Sequence, residues 1–382
     1  MNVRIPFNKP AIVGSELTYI SQAIAGLHAS GDGPFTKRAQ ALLEKSFNAK
    51  RVLLTTSCTS ALELAALLCD LQPGDEVIVP SYTFVSTANA FVLRGAKPRF
   101  VDIRPDTLNI DERLIEEAIT PRTRAIFPIH YAGVACEMDT IMDIADRHGL
   151  WVVEDAAQGV HARYKGRWLG TIGHLGCYSF HETKNISCGE GGALVINDSA
   201  MEMRAEILRE KGTNRSQFAR GQVDKYTWVD VGSSYVPSDM LAAFLVGQIE
   251  NMEKVTRRRG EIFDRYAAML SPLVERGLVS LPVLPEHCST NYHMFYLLTA
   301  DIEERTALIE HLRAAGILAV FHYVPLHSSP YAASLGLSQM FLPRTDDLSA
   351  RLLRLPMYFD LRDEEVEEVA HAVLNFYETG AR

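Results

Sequence analysis

The sequence lacks the marks of several protein classes. No stretch approaches the roughly 18 consecutive apolar residues of a membrane-spanning helix, and residues 1–7 carry no apolar signal core. A soluble, unprocessed, cytoplasmic chain is expected, without a membrane partner. The six cysteines, at 58, 69, 136, 177, 188 and 288, form no CxxC pair and no Cys/His metal spacing, so neither a disulfide scaffold nor a metal site is expected. G-x-G-x-x-G is absent, which removes the main support for a nicotinamide-binding fold. No internal repeat or low-complexity tract is evident. An excess of cations is also missing. With 38 Lys+Arg against 47 Asp+Glu the formal net charge is -9, which gives no broad pull toward nucleic acid, so an anionic ligand must be caught by local donors.

What is present is enough apolar material for a large core. The chain has 382 residues, 47% of them hydrophobic, and is long enough for two domains. From Phe35 onward helical and strand patterns alternate, as in an α/β protein. The clearest unit spans 124–154. A strand over 125–130 leads to a helix with Met138, Ile141, Met142 and Ala145 on one face, Gly149 ends it, and a new strand begins at Leu150. Such a βαβ crossover implies parallel strands buried on both faces, with ligands gathering at their carboxyl ends, where Asp155 and Gln158 fall. Ser238 and Asp239 cap a long apolar helix, and a domain boundary is placed near residue 250: a large domain over 1–250 and a small α+β domain over 251–382. The small domain is read as strands at 293–298, 317–321 and 353–357 between helices at 303–315 and 363–377.

Three stretches carry candidate chemistry. Gly176-Cys-Tyr-Ser-Phe-His-Glu-Thr-Lys-Asn185 places Lys184 on a loop just past a predicted strand. A lysine amine can condense with a carbonyl, most readily where desolvation lowers its pKa, although most lysines are simply solvated. Leu150-Trp-Val-Val-Glu-Asp-Ala-Ala-Gln-Gly159 ends a buried strand on Asp155, which fits either an acceptor for a protonated ring nitrogen or a helix cap. Leu53-Leu-Thr-Thr-Ser-Cys-Thr-Ser-Ala-Leu-Glu-Leu-Ala-Ala66 is a strand, a run of hydroxyls including Thr59 and Ser60, then a helix, which reads as a phosphate cup or as a plain Ser/Thr cap. His130 and His181 stay open between ligand contact and structural roles. Ordered together, these stretches are more specific than any one of them.

Ser57-Cys-Thr-Ser-Ala-Leu62, Pro80-Ser-Tyr-Thr-Phe-Val-Ser-Thr87, Glu154-Asp-Ala-Ala-Gln158 and Ser179-Phe-His-Glu-Thr-Lys184 resemble the DegT/DnrJ/EryC1/StrS family of sugar aminotransferases. The resemblance covers nearly the whole chain. It implies a fold-type-I, aspartate-aminotransferase-like α/β architecture with a mostly parallel central sheet and a smaller C-terminal domain. It implies pyridoxal 5'-phosphate on Lys184, with Cys58, Thr59, Ser60, Phe84, Asp155, Gln158, Ser179 and Ser234 around it, Phe84 as the ring stacked on the pyridine, and no metal. Ser234 stands in a departure from the family's G-x-N-x-R pattern, which reads Gly232-Ser-Ser-Tyr-Val236 here. The implied substrates are L-glutamate and a nucleotide-linked keto sugar, narrowed by the stretches at 131–139, 211–216 and 221–228 to dTDP-4-dehydro-6-deoxy-D-glucose. The implied assembly is a homodimer with shared sites, in which Arg215, Arg220, Lys225 and Tyr226 of a polar loop over 211–232 serve the neighbour's substrate beside His322 and His327. Another nucleotide-keto sugar, a sugar dehydration or a catalytically idle regulator are the rival expectations. Dehydratase relatives replace the lysine by histidine, and this chain retains Lys184.

Overall fold

The computed structural model describes residues 3–337 and 340–379; residues 1–2 and 380–382, the outer ends of the two expected domains, lie outside the described residues. The first five strands are β1 (Arg51–Thr55), β2 (Glu76–Pro80), β3 (Lys97–Val101), β4 (Thr123–Ile126) and β5 (Trp151–Asp155). A short hairpin follows, β6 (Arg163–Tyr164) and β7 (Arg167–Trp168), then β8 (Leu175–Ser179) and β9 (Gly192–Ile196). Seven of these form one sheet in the order β1-β9-β8-β5-β4-β2-β3. Only β9 runs against its neighbours: it pairs antiparallel with both β1 and β8, while the β8-β5-β4-β2-β3 pairs are parallel.

Both faces of this sheet are covered, which is why its strands read as nearly continuous apolar runs. Helices α1 (Glu16–Ala25) and α2 (Pro34–Phe47) precede the sheet; α3 (Cys58–Leu68), α4 (Val85–Val92) and α5 (Met138–His148) connect its strands. Val52 and Leu54 of β1 pack with Leu43 and Phe47 of α2 and Ile141 of α5, whereas Leu53 packs with Leu62 and Ala65 of α3 and Phe91 of α4. The period-2 alternation of the strand thus serves two cores. Each buried Leu, Ile or Phe contributes about 1.5–3 kcal/mol against leaving it in water. The α5 helix ends where predicted, at Gly149 with φ 63.

Residues 180–191 join β8 to β9 by folding straight back, with Phe180 N to Gly191 O at 2.8 Å and Cys188 N to Phe180 O at 2.9 Å. That return explains both the single antiparallel strand and the position of Lys184 at the carboxyl edge of β8. Gly192 opens β9 against the start of α3; a Cβ there would stand 2.3 Å from the Ser57 carbonyl carbon. Only glycine allows the approach.

A separate core gathers Ile262, Phe263 and Tyr266 of helix Met252–Glu275, Leu308 and Leu312 of helix Ile302–Ala314, Val366 and Phe376 of helix Asp363–Glu378, and the strands β11 (Tyr296–Leu298) and β12 (Leu352–Arg354). The remaining short strand, β10 (Cys288–Ser289), pairs with β6. Ile5, from the N-terminal segment, is buried in that same core through an isolated bridge to Ile317. The strand expected over 317–321 is not formed. Ile317 bridges Ile5 on one side and Val320 bridges Arg354 on the other, so no two successive residues share a partner strand. Among the described residues no helix is long and apolar enough to cross a membrane.

Candidate active site

The carboxyl ends of β5 and β8, the start of α3 and the small sheet enclose a cleft of about 430 Å³. Lys184 enters from the β8–β9 return. Burial is the chief influence on its amine and pushes the pKa down, Cys58 and Asp155 pull it upward, and Arg354 adds to the lowering. The residue is half-buried in accessible area because one side opens to the cleft, while protein encloses the rest. Among the described residues no carboxylate pairs with it, so the amine is available as a nucleophile or base.

Asp155 ends β5 facing the same cleft, 5% exposed. Its Oδ2 accepts from Thr87 Oγ1 at 2.7 Å and its Oδ1 from Ala157 N at 3.1 Å. No cation pairs with it among the described residues. Its sequence neighbour Glu154 points to the opposite face and is fully buried, accepting the amides of Gly170, Ile172 and Gly173 at 2.6–2.8 Å and meeting His130 Nε2 at 2.8 Å. His130 Nδ1 accepts from Cys136 N at 3.2 Å, which completes a structural histidine away from the cleft. His181 does line the cleft, with Thr183 Oγ1 at 2.9 Å from its Nδ1.

At the start of α3 the Ser57 hydroxyl caps Ser60 N at 3.1 Å, so the amides of Cys58 and Thr59 remain as open first-turn donors, without a partner among the described residues. Cys58 and Thr59 line the cleft, and Thr59 Oγ1 donates to Ser86 Oγ at 2.8 Å. Ser60 turns away, its hydroxyl 2.8 Å from Thr56 Oγ1 and 3.1 Å from Ser57 Oγ. Phe84, just before α4, is 54% exposed and lines the cleft, its ring 6.0 Å from that of Tyr323. Gln158 and Ser179 also line it. Gln158 Nε2 donates to Tyr323 OH at 3.0 Å and its Oε1 accepts from Ala132 N at 2.7 Å.

Of the expected substrate residues, the structure brings His322 into the cleft, stacked on Tyr323 at 3.6 Å with Tyr131 OH 2.8 Å from its Nδ1. Burial, with the charges of Arg354 and Lys184, pushes its pKa well below the ordinary histidine value. His327 lies apart, buried between Ser81 Oγ at 2.7 Å and Asp346 Oδ1 at 3.2 Å. Arg215 and Arg220 pair with Glu210 and Glu206 of their own chain at 3.3 and 2.8 Å, and Lys225 and Tyr226 are exposed. Ser234 is exposed as well, bridged to Glu210. Among the described residues, none of these five reaches the cleft lining.

Among the cleft residues not singled out from sequence are Thr87, His293, Arg354 and Tyr323. His293 Nδ1 lies 3.0 Å from Asn185 Oδ1, and burial, with Lys184 and Arg259 nearby, pushes its pKa well below normal. Thr87 does lie inside the stretch at 80–87, and Tyr323 follows the expected substrate residue His322. His293 and Arg354 carry no local signal.

The donor set can be tested against a pyridoxal phosphate. That group needs an amine for its carbonyl, a carboxylate for its ring nitrogen, free amides or hydroxyls for its phosphate and a flat wall. The cleft offers Lys184, Asp155, the start of α3 and Phe84, and the residues fit. Solved structures share the whole architecture. The putative sugar aminotransferase Spr1654 of Streptococcus pneumoniae, in its PLP form, is 26% identical over 99% of each chain with a TM-score of 0.90. DesV of S. venezuelae is 32% identical over 98% of this chain and 99% of that one, with a TM-score of 0.89. The aminotransferase TlmJ of Streptoalloteichus hindustanus is 29% identical over 99% of each, also at 0.89.

Fold and site together define a fold-type-I, pyridoxal-phosphate-dependent aminotransferase. The sequence profile of the DegT/DnrJ/EryC1/StrS aminotransferase family matches residues 10–374, and the chain belongs to that family.

Proposed function

We propose that the protein moves the amino group of L-glutamate to C4 of dTDP-4-dehydro-6-deoxy-D-glucose, yielding 2-oxoglutarate and dTDP-4-amino-4,6-dideoxy-D-galactose. The observation that carries the reading is the unpaired, buried Lys184 amine sharing a cleft with the uncompensated Asp155 carboxylate. Bound pyridoxal phosphate supplies the electron sink that stabilises negative charge at the reacting carbon. The chain's residues supply the rest. Lys184 holds the cofactor at rest. Released, its Nζ takes the proton from Cα of the donor and, in the return half-reaction, delivers one to C4 of the sugar. Asp155, oriented by Thr87 and Ala157 N, holds the ring nitrogen's proton. Cys58, Thr59 and Ser179 hold the phosphate with the open α3 amides, while Phe84 covers the ring and Gln158 borders it; Ser60 supports the cup from behind.

The sugar nucleotide asks for donors to two phosphates and a base edge. His322 faces the cleft from the same chain. Arg215, Arg220, Lys225 and Tyr226 lie outside it, and the reading assigns them to the neighbouring protomer of a cytoplasmic homodimer, with Ser234 at that boundary and His327 holding the segment that carries His322. The product suits assembly of a surface polysaccharide such as enterobacterial common antigen. Product analysis with dTDP-, UDP- and GDP-linked keto sugars tests the assignment. An axial C4 amine on the dTDP sugar is expected, and an equatorial amine or nitrogen at C3 overturns the substrate while leaving amino transfer intact.

A further inference from the structure

The segment that carries His293 has no role in the reading above, yet it is tied down more heavily than a connection between two strands requires. It leaves β10, which pairs with β6, and enters β11 of the small sheet, so it passes from one core to the other. Asn291 Nδ2 donates to Gln158 O and Val160 O, both at 2.8 Å. The buried Arg259, on helix Met252–Glu275, donates from Nε to Tyr292 O at 2.9 Å and from Nη2 to His293 O at 2.5 Å. Between them Tyr292 stands at φ 52, a left-handed backbone that a bulky residue adopts only where its surroundings impose it.

The strained turn converges on one side chain. Asn185, the residue after Lys184, donates from Nδ2 to Asn291 O at 2.7 Å, and its Oδ1 lies 3.0 Å from His293 Nδ1. The amide has to face this way, because its oxygen placed against the Asn291 carbonyl would set two acceptors together. His293 Nδ1 therefore carries the ring's hydrogen and donates it to Asn185. Burial pushes the His293 pKa well below the ordinary histidine value, which keeps the ring in that neutral form. Both polar ends of Asn185 are thus engaged by the connection to the small sheet. Packing holds the same place less firmly: a cavity of about 20 Å³ adjoins Lys184 and Asn185, lined also by Asn8, Gln248 and Arg259.

We infer that the 291–293 turn positions Lys184 for proton transfer, with Asn185 as the link and His293 as a positioning residue. A lysine side chain is a flexible four-carbon stem, so the part of it that the protein can fix is the main chain at its root. Misplacing a reacting group by about 1 Å costs about a hundredfold in rate.

The inference rests on the proton-carrying role given to Lys184 above, and the experiment separates the two. Asn185→Ala, His293→Gln and His293→Asn are prepared as cofactor-loaded protein. Amide hydrogen exchange, read by mass spectrometry, follows the peptides over 180–191 without any turnover. The glutamate half-reaction is timed by stopped-flow absorbance with ordinary and Cα-deuterated glutamate. In Asn185→Ala and His293→Gln the 180–191 amides are expected to exchange about tenfold faster, the value of one lost hydrogen bond, with β5 and β8 unchanged. The half-reaction is expected to slow by about tenfold to a hundredfold, with half-saturating glutamate kept within about threefold and a larger deuterium effect. His293→Asn, whose amide can reoccupy the Nδ1 place, should recover most of both losses. Asn185→Ala decides the matter where His293→Gln does not fold. Unchanged exchange at 180–191, or exchange that rises equally in every strand, overturns the inference. So does a His293→Asn protein no better than His293→Gln, which assigns the function of the ring to Nε2 instead. A wild type inert toward glutamate overturns the donor reading alone, and the exchange measurement still decides the role of the turn.

Discussion

Thr87 donates from Oγ1 to Asp155 Oδ2 at 2.7 Å, so the carboxylate at the end of β5 is aimed by a hydroxyl from α4. The two residues come from different crossovers and meet only because β5 and β2 lie two strands apart in one sheet. With Ala157 N on the other oxygen, both carboxylate oxygens are fixed in orientation. Asp155→Asn is expected to load cofactor and lose about a hundredfold or more in turnover, because a neutral amide cannot balance the ring nitrogen's positive charge. Thr87→Val should cost about tenfold, the value of one hydrogen bond to a charged group. Cofactor content and steady-state rates check both. A fully active asparagine variant reduces Asp155 to an acceptor for Ala157 N.

Lys184→Ala is expected to abolish turnover and the visible absorbance of covalently held cofactor while leaving the melting temperature near that of the cofactor-free wild type. The pH dependence of loading follows from the lowered pKa of the amine. Only the unprotonated form condenses, and its fraction rises as pH passes upward through the pKa, so loading of cofactor-free protein should reach half its limiting rate below the ordinary lysine value of about 10.4. A midpoint at or above that value contradicts the buried setting.

Ser81, next to the end of β2, accepts from His327 N at 3.0 Å and meets His327 Nδ1 at 2.7 Å, fully buried. Ser81→Ala leaves both His327 groups without that partner and should destabilise the fold by about 1–3 kcal/mol. Chemical denaturation measures the loss. Because His327 is outside the cleft lining, KM for glutamate is expected to stay within twofold; a large KM change with unaltered stability contradicts the structural role.

The segment over 211–232 carries Trp228, 79% exposed, with Arg215, Lys225 and Tyr226 also exposed. Mixing Lys184→Ala with Arg215→Ala/Lys225→Ala after reversible subunit exchange is expected to regenerate activity, up to about one working site in each hybrid of a closed two-fold pair. A monomer that is fully active at assay concentration sinks the shared-site reading.

The placement of several candidate site residues in the cleft was legible in the sequence because each occupies one short stretch. A strand, a hydroxyl run and a helix made the cup at Ser57–Ser60 readable, an acidic pair ending an apolar run marked Asp155, and Gly149 announced the end of α5. Which member of Glu154–Asp155 faces the cleft also follows from the alternation of a strand, once either one is placed. Other readings changed. The stretch over 317–321 has strand-like residues but no continuous partner, and His327, expected beside the substrate, is held by Ser81 and Asp346 outside the cleft lining.

By itself, then, the sequence determined the order of the chemical parts along the chain and the two-sided burial of the strands, since periodicity and capping act over a few residues. Tertiary structure alone decided what shares the cleft with Lys184. Arg354 on a strand of the small sheet, His293 beside Asn185 and Tyr323 against Gln158 approach it across more than a hundred residues of chain, and the antiparallel course of β9 depends on a return loop whose partners are chosen by packing. Such contacts are set by the free energy of closing distant segments onto a common core, a property that no single stretch of residues carries.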